Sequence, residues 1–195
     1  MRIPFLKKER VDLSEPKNNL KEGKTEEPVY SKTIAGFRVW RIDEENLVLT
    51  SVTNNNPWHS GLNFANGCRK HAAPGSKCHC GFNAFYDLDT LDESAYKSLG
   101  IVGAFAGAGT VYIHKDGFRS SEAQLTALFY DEENLVESKE TVEKIAYRYR
   151  VPLFDSRDEF LKYVSSVLPD LDRSELNLPE EKLDQFKNPR KKRQV

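Results

Sequence analysis

Residues 103–129, GAFAGAGTVYIHKDGFRSSEAQLTALF, predict a long β-hairpin and with it the fold class. Its arms are Gly103 to His114 and Phe118 to Phe129. The Asp116-Gly117 dipeptide between them tolerates the positive φ that a tight hairpin turn needs. Three glycines in the first arm predict bulges or close backbone approach, at positions 103, 107 and 109.

Regular elements are predicted on both sides of this hairpin. Upstream, alternating side chains from Phe37 to Ile42 and a β-rich run from Leu47 to Val52 predict a second hairpin. Thr90-x-x-Glu93 has the spacing of a capping box and predicts the start of a short helix. Downstream, apolar residues recur at helical spacing after Ser138 and Ser156, two expected helix caps. The sequence therefore predicts an α+β fold, an antiparallel sheet of hairpins with two C-terminal helices.

The domain boundaries follow from composition. Residues 33–168 are expected to form one domain, because a chain of 195 residues can bury a sizeable core. Residues 1–32 are rich in Lys, Glu, Asn and Pro, so we expect a flexible N-terminal arm. Residues 169–195 return to polar composition and are expected to form a flexible tail with a basic end.

All three cysteines and two of the four histidines lie in residues 68–81, which we term the knuckle. C-x-x-H followed by C-x-C is a spacing that can close around one tetrahedral ion. Cys68, His71, Cys78 and Cys80 are therefore the expected ligands of a Zn²⁺ ion, with His79 as the substitute if His71 is not the fourth. Four protein ligands leave no open position for water, so the site is expected to be structural.

Two other interpretations of the cysteines stay open at this point. They are buried or idle thiols, and a disulfide with one cysteine left over. A Cys–His nucleophile pair, such as Cys68 with His71 or His114, is a further alternative that would use the same cysteine as the metal.

Composition bears on the expected partners of the chain and on its expected location. The formal net charge is -1, so no global field attracts nucleic acid or an anionic membrane. Apolar runs fall short of the roughly 20 residues that cross a bilayer, and residues 1–8 do not form a signal-peptide core. We therefore expect a cytoplasmic protein with reduced thiols and no membrane insertion.

Local patches offer contacts with partners. His114 and Arg119 flank the predicted hairpin turn and could bind an anion or a partner, although a solvated hairpin end fits as well. Basic residues end the chain, among them Lys191, Lys192 and Arg193, and could contact nucleic acid. Aromatic residues interleaved with Arg and Lys could stack bases, although such aromatics are usually core; they are Trp40, Trp58, Phe64 and Phe82.

Several runs together carry a resemblance to a known family: His71-x-Ala-Pro74, Cys78-x-Cys80-Gly81-x-x-Ala84, Gly109-x-Val111-x-x-His114-x-x-Gly117-Phe118-Arg119 and Tyr147-Arg-Tyr149-Arg-Val151-Pro152. The chain resembles, over roughly residues 36–166, an uncharacterised family of small proteins of actinobacteria and their phages. The resemblance implies one domain and no particular activity. Family members carry Leu-Trp before the glycine matching Gly109 and an acidic residue two after the arginine matching Arg119. Here Gly107-Ala108 and Ser121 stand there, so a site built from that Trp or carboxylate would be missing or moved.

These observations favour a non-enzymatic, zinc-stabilised binding or regulatory module that engages a protein partner. One alternative is a nucleic-acid-binding accessory protein that uses the basic tail and the knuckle. The other is a metal- or thiol-dependent enzyme. No Walker motif, phosphate-binding glycine loop or paired-carboxylate signature is present, which gives nucleotide hydrolysis no support.

Overall fold

The structure is a computed structural model that describes residues 32–68, 71–75, 78–135 and 137–170. Within these ranges seven strands form one sheet: β1 Ile34–Asp43, β2 Val48–Ser51, β3 Leu62–Phe64, β4 Phe82–Phe85, β5 Ile101–Ile113, β6 Gly117–Phe129 and β7 Leu153–Phe154. The helices are α1 Leu88–Asp92, α2 Lys139–Tyr149 and α3 Arg157–Val167, with a 3-10 turn at Lys97–Leu99. The pairing is antiparallel except between β6 and β7. The predicted α+β class is confirmed.

Both predicted hairpins are present. Strands β1 and β2 pair from Trp40 opposite Ser51 to Asp43 opposite Val48. The long hairpin of β5 and β6 runs from Val102 opposite Phe129 to Ile113 opposite Phe118, with two shifts of register. The second shift contains Gly109, whose φ of +72 is the left-handed conformation that glycine adopts without strain. The bulge expected from that glycine is therefore confirmed.

The positive φ expected at Asp116-Gly117 is wrong, because the turn closes with the His114 N–H donating to the Gly117 carbonyl at 2.8 Å and neither Asp116 nor Gly117 has a positive φ. Gly117 instead begins β6, where a Cβ would collide with the Ala84 carbonyl of β4.

The sheet closes on itself, which the sequence does not predict. Strand β1 pairs with β5 along seven residues and with β4 through Phe37 opposite Phe85. Strand β6 pairs with the same two strands, so β1, β5, β6 and β4 form a ring. Phe118 is fully buried inside it, and a Cβ at Gly36 or Gly107 would lie 2.6 or 2.3 Å from its ring. The two glycines thus make room for this phenylalanine.

Helices cover the apolar faces of the sheet. One buried cluster centres on Trp40, Phe105 and Phe118 and includes the inner face of α2. The other includes α1 and α3, where the Phe160 ring stacks on Phe129 with centroids 5.5 Å apart. Burial of such rings stabilises the fold by about 25 cal/mol for each Å² of apolar surface that is removed from water. The helices are therefore held by the two sides of one sheet.

The helix starts confirm two predicted caps and correct one. The hydroxyls of Ser138 and Ser156 accept backbone N–H groups at the starts of α2 and α3, as expected. The capping box at Thr90 is wrong, because α1 begins earlier and is capped by Asp87. The Asp87 carboxylate accepts the backbone N–H of Thr90 at 2.7 Å and its hydroxyl at 2.8 Å. Thr90 is therefore a hydrogen-bond donor to the N-cap residue and is not itself the cap.

Residues 1–31 and 171–195 lie outside the described residues. The predicted arm and tail fall almost wholly on them, including Lys191, Lys192 and Arg193, and these assignments stay predictions.

Candidate metal centre

The knuckle is carried between β3 and β4, which both pair with β6. Strand β3 pairs with residues 122–124 of β6, and β4 pairs with residues 117–120. Just before the knuckle, the Ala65 N–H also donates to the Ser121 carbonyl of β6 at 2.7 Å. At its end, Gly81 turns the chain with a φ of +113. One strand therefore fixes both ends of the candidate site.

Three of the four expected ligands lie together. One ligand atom from each of Cys68, His71 and Cys78 lies within 4.8 Å of the other two, so this group could hold a metal ion. Cys68 and His71 form an isolated antiparallel bridge in which the His71 N–H donates to the Cys68 carbonyl at 3.3 Å. All three cysteines are free thiols.

The imidazole of His71 is oriented by the backbone. Its Nδ1 lies 2.8 Å from the carbonyl oxygen of Ala72, which can only accept, so Nδ1 carries the proton in this contact. Nε2, the other ring nitrogen, lies 3.1 Å from Sγ of Cys68. A histidine that ligates a metal commonly donates its other ring N–H to a carbonyl in this way.

Cys80 lies beside the group on the other ring nitrogen. Its Sγ is 3.8 Å from Nδ1 of His71 and accepts the Gly75 N–H at 3.3 Å. Ligation by Cys80 therefore stays a prediction. His79 is exposed and is not part of the group, and its charge contributes to lowering the pKa of His114. The structure thus groups His71, not His79, with the thiols.

The side chain of Arg119 binds the backbone of the knuckle. It lies on β6 and only 3% of it is exposed. Its guanidinium donates to the carbonyl oxygens of Gly75, at 3.3 Å, Cys80, at 3.2 Å, and Cys78. Sequence analysis did not predict this role, since no local pattern links position 119 to residues about 40 positions earlier.

His114 completes the support of Arg119. Its Nε2 accepts the Nε–H of Arg119 at 3.0 Å, and the guanidinium also lies over the Tyr112 ring. Burial, then the Arg119 charge, then His79 lower the pKa of His114 to about 4, so the ring is neutral at pH 7. The anion or partner contact expected of His114 and Arg119 stays a prediction, and the Arg119 donors already have protein acceptors.

The aromatic residues of the predicted stacking surface divide into two groups. Trp40 and Trp58 are 0% and 3% exposed and pack edge to face in the core, and Phe82 packs against Trp58. Phe64, in contrast, is 67% exposed on β3, and Leu62 of the same face is 46% exposed. The accessible apolar surface beside the knuckle is therefore the outer face of β3.

Across the part of the chain that the structure describes, none of the helices combines the length and the apolar character needed to span a bilayer.

Comparisons with protein families, curated proteins and solved structures find no match to this chain, so the family resemblance stays a prediction from the quoted residues.

Proposed function

We propose that the chain is a non-enzymatic binding module whose knuckle holds a structural zinc ion. The observation that carries this proposal is the grouping of the Cys68, His71 and Cys78 ligand atoms within 4.8 Å. Thiolate and imidazole are the donor set that zinc prefers, with metal–ligand distances of about 2.3 and 2.0 Å. In a tetrahedron those lengths separate sulfur from nitrogen by about 3.6 Å, so the 3.1 Å contact of Cys68 and His71 needs only a small opening.

Cys80 is proposed as the fourth ligand. It is the remaining soft donor of the knuckle. Its Sγ lies 3.8 Å from Nδ1 of His71, the ring nitrogen that Cys68 does not contact, so ligation would require Cys80 to move toward the other three ligands. Binding by all four side chains leaves no position for water, which makes the ion structural. Reduced thiols of this kind fit a cytoplasmic location.

The proposed partner is a protein that covers the outer face of β3. Leu62 and Phe64 are exposed apolar side chains on this short strand, which pairs on one side with β6. Exposed apolar residues on a strand at the edge of a sheet are a common docking surface for another chain. The knuckle directly follows this strand, so a bound ion would stiffen the region that the partner meets.

Metal content is tested first. Native mass spectrometry and elemental analysis of the purified protein, before and after a chelator, should show one zinc per chain, with shielded thiols and lower thermal stability once zinc is removed. Protein without metal and with three freely reactive thiols would refute the zinc centre.

Partner binding is tested by site-specific photo-crosslinking in cells. A photoreactive residue at position 64 should give one defined protein adduct. The matched control is position 147, where the tyrosine is 88% exposed on α2. Equal crosslinking from both positions, or none from position 64, would contradict the assignment of the surface.

One observation favours a second candidate, the thiol-dependent enzyme. Sγ of the exposed Cys68 lies 3.1 Å from Nε2 of His71, a distance at which an imidazole can activate a thiol nucleophile. The two functions exclude one another at this cysteine, because a ligated thiolate is not free to attack. Rapid alkylation of Cys68 in zinc-loaded protein would favour the enzyme, and protection by zinc would favour the structural ion.

A further inference from the structure

We infer that Arg119 supplies the counter-charge of the metal centre and positions its ligands, and that the centre therefore has three thiolates, including Cys80, and one imidazole. This inference rests on the proposed zinc site and specifies its coordination chemistry. It is based on the positive charge of the buried Arg119 side chain, for which the described residues provide no carboxylate.

The guanidinium of Arg119 is a buried cation without a carboxylate partner among the described residues. It is 3% exposed, and its hydrogen-bond acceptors are neutral: three backbone carbonyls and the His114 ring. A buried charge without a compensating charge is strongly destabilising. Two of those carbonyls belong to Cys78 and Cys80, and ligation of zinc would turn the thiols of these two residues into thiolates beside the guanidinium.

A zinc ion with three thiolates and a neutral imidazole carries one net negative charge. That charge matches the single positive charge of Arg119. A site with only two thiolates would be neutral and would leave the guanidinium unbalanced. The need for balance therefore favours Cys80 as the third thiolate.

The hydrogen bonds of Arg119 also fix where the ligands lie. Two of its acceptors are the carbonyls of Cys78 and Cys80 themselves, and the third is that of Gly75. The N–H of the same Gly75 donates to Sγ of Cys80. The planar fork of a guanidinium can serve several acceptors at once, which the single ammonium of lysine does with less geometric control. Arg119 is thus a positioning residue for two of the sulfur ligands.

The test compares the zinc affinity of three variants of the full chain with that of the wild type, by competition with a chromophoric chelator. Arg119→Met removes the charge and the donors, whereas Arg119→Lys keeps the charge. The matched control is Arg148→Met, because Arg148 is exposed and donates to the Asn46 carbonyl far from the knuckle in sequence. We expect Arg119→Met to lose at least about tenfold in affinity, Arg119→Lys to lose less, and the control to bind as the wild type does.

The number of thiolates is read from cobalt. In Co²⁺-loaded protein the intensity of the sulfur-to-metal charge-transfer band rises with each thiolate. Cys80→Ala should therefore lose about a third of the intensity if three thiolates bind. This measurement does not require that Arg119→Met folds.

The outcomes separate the two claims. Arg119→Met within tenfold of the wild type, Arg119→Lys as weak as Arg119→Met, an equal loss in the control, or an unchanged cobalt band in Cys80→Ala would each overturn the inference. Those results leave a metal centre in place. Wild-type protein that binds neither zinc nor cobalt would instead remove the proposed function itself.

Discussion

Replacing Gly75 by alanine is expected to separate metal binding from folding. A Cβ at position 75 would lie 2.1 Å from Cε1 of His71, 2.5 Å from Nδ1 and 2.6 Å from Nε2. Ordinary contact begins near 3.4 Å, so the ring must retreat by at least about 1.3 Å (3.4 − 2.1). Metal–ligand distances tolerate only about 0.2 Å. The alanine therefore displaces the imidazole from any position in which it could complete the site.

Zinc affinity and the stability of the metal-free protein should respond differently to this alanine. Zinc affinity should fall by at least about tenfold, the usual cost of disturbing a ligand's surroundings. The stability of the metal-free protein should be unchanged or should rise by up to about 1 kcal/mol. The reason is that His71 is exposed and can rotate away, while alanine reduces the conformational entropy of the unfolded chain. Gly75 does not adopt a positive φ, so alanine fits its backbone.

Gly61→Ala provides the reciprocal control. Gly61 has a φ of +94 with no atom within 4 Å of an added Cβ, so alanine there strains the backbone and touches nothing. It should lower the free energy of unfolding by about 1 kcal/mol and leave zinc affinity unchanged. Affinity comes from chelator competition and stability from urea unfolding of chelated protein. Wild-type zinc affinity in Gly75→Ala would refute the placement of His71 in the site.

Three further predictions address the site, its pH dependence and the tail. Cys78→Ser should lose bound zinc and lower the thermal midpoint, and unchanged metal content and midpoint would disprove the metal site. Metal-free protein should lose about 1–3 kcal/mol of stability as the pH falls from about 6.5 to 4, because His114 protonates more readily in the unfolded chain. At about 1.4 kcal/mol per pKa unit the full shift from 6.5 to about 4 would amount to about 3.5 kcal/mol, and the partial exposure of this ring reduces it. Urea unfolding of His114→Gln should show a weaker pH dependence. Deleting residues 187–195 should abolish any nucleic-acid binding, measured at several salt concentrations, without changing the circular dichroism; undiminished binding would place that activity in the domain.

Local patterns were sufficient for the elements that local forces determine. The long hairpin and the caps at Ser138 and Ser156 depend on neighbouring residues, and the structure contains both the hairpin and the two helices. The turn of the hairpin closes between His114 and Gly117 without the positive φ that was expected at Asp116-Gly117. Closure of the sheet depends on pairing between residues far apart, such as Phe37 with Phe85, and no local period encodes it. The cap of α1 was misassigned because Asp87 and Thr90 both have capping chemistry, and only the backbone path decides between them.

The candidate site shows the same division. Spacing was sufficient to predict that Cys68, His71 and Cys78 lie together, because these residues are close in sequence, whereas Cys80, predicted with them, lies outside that group. The part played by Arg119 was not predictable, since its acceptors lie 39 to 44 residues earlier in the chain. Burial of Trp40 and Trp58 was likewise decided by tertiary packing, and it removes both rings from the predicted stacking surface.

The topology indicates why a metal would stiffen this protein without being needed to fold it. Strand β6 holds β3 and β4 at the two ends of the knuckle, and its Arg119 binds the backbone between them. Three ligand atoms therefore lie within 4.8 Å before any ion is considered, whereas small zinc fingers have too little core to fold without metal. An ion would then add its binding energy to one loop and to the neighbouring strand β3. Since Leu62 and Phe64 lie on that strand, zinc occupancy would change the order of the proposed docking surface while the ring around Phe118 stayed intact.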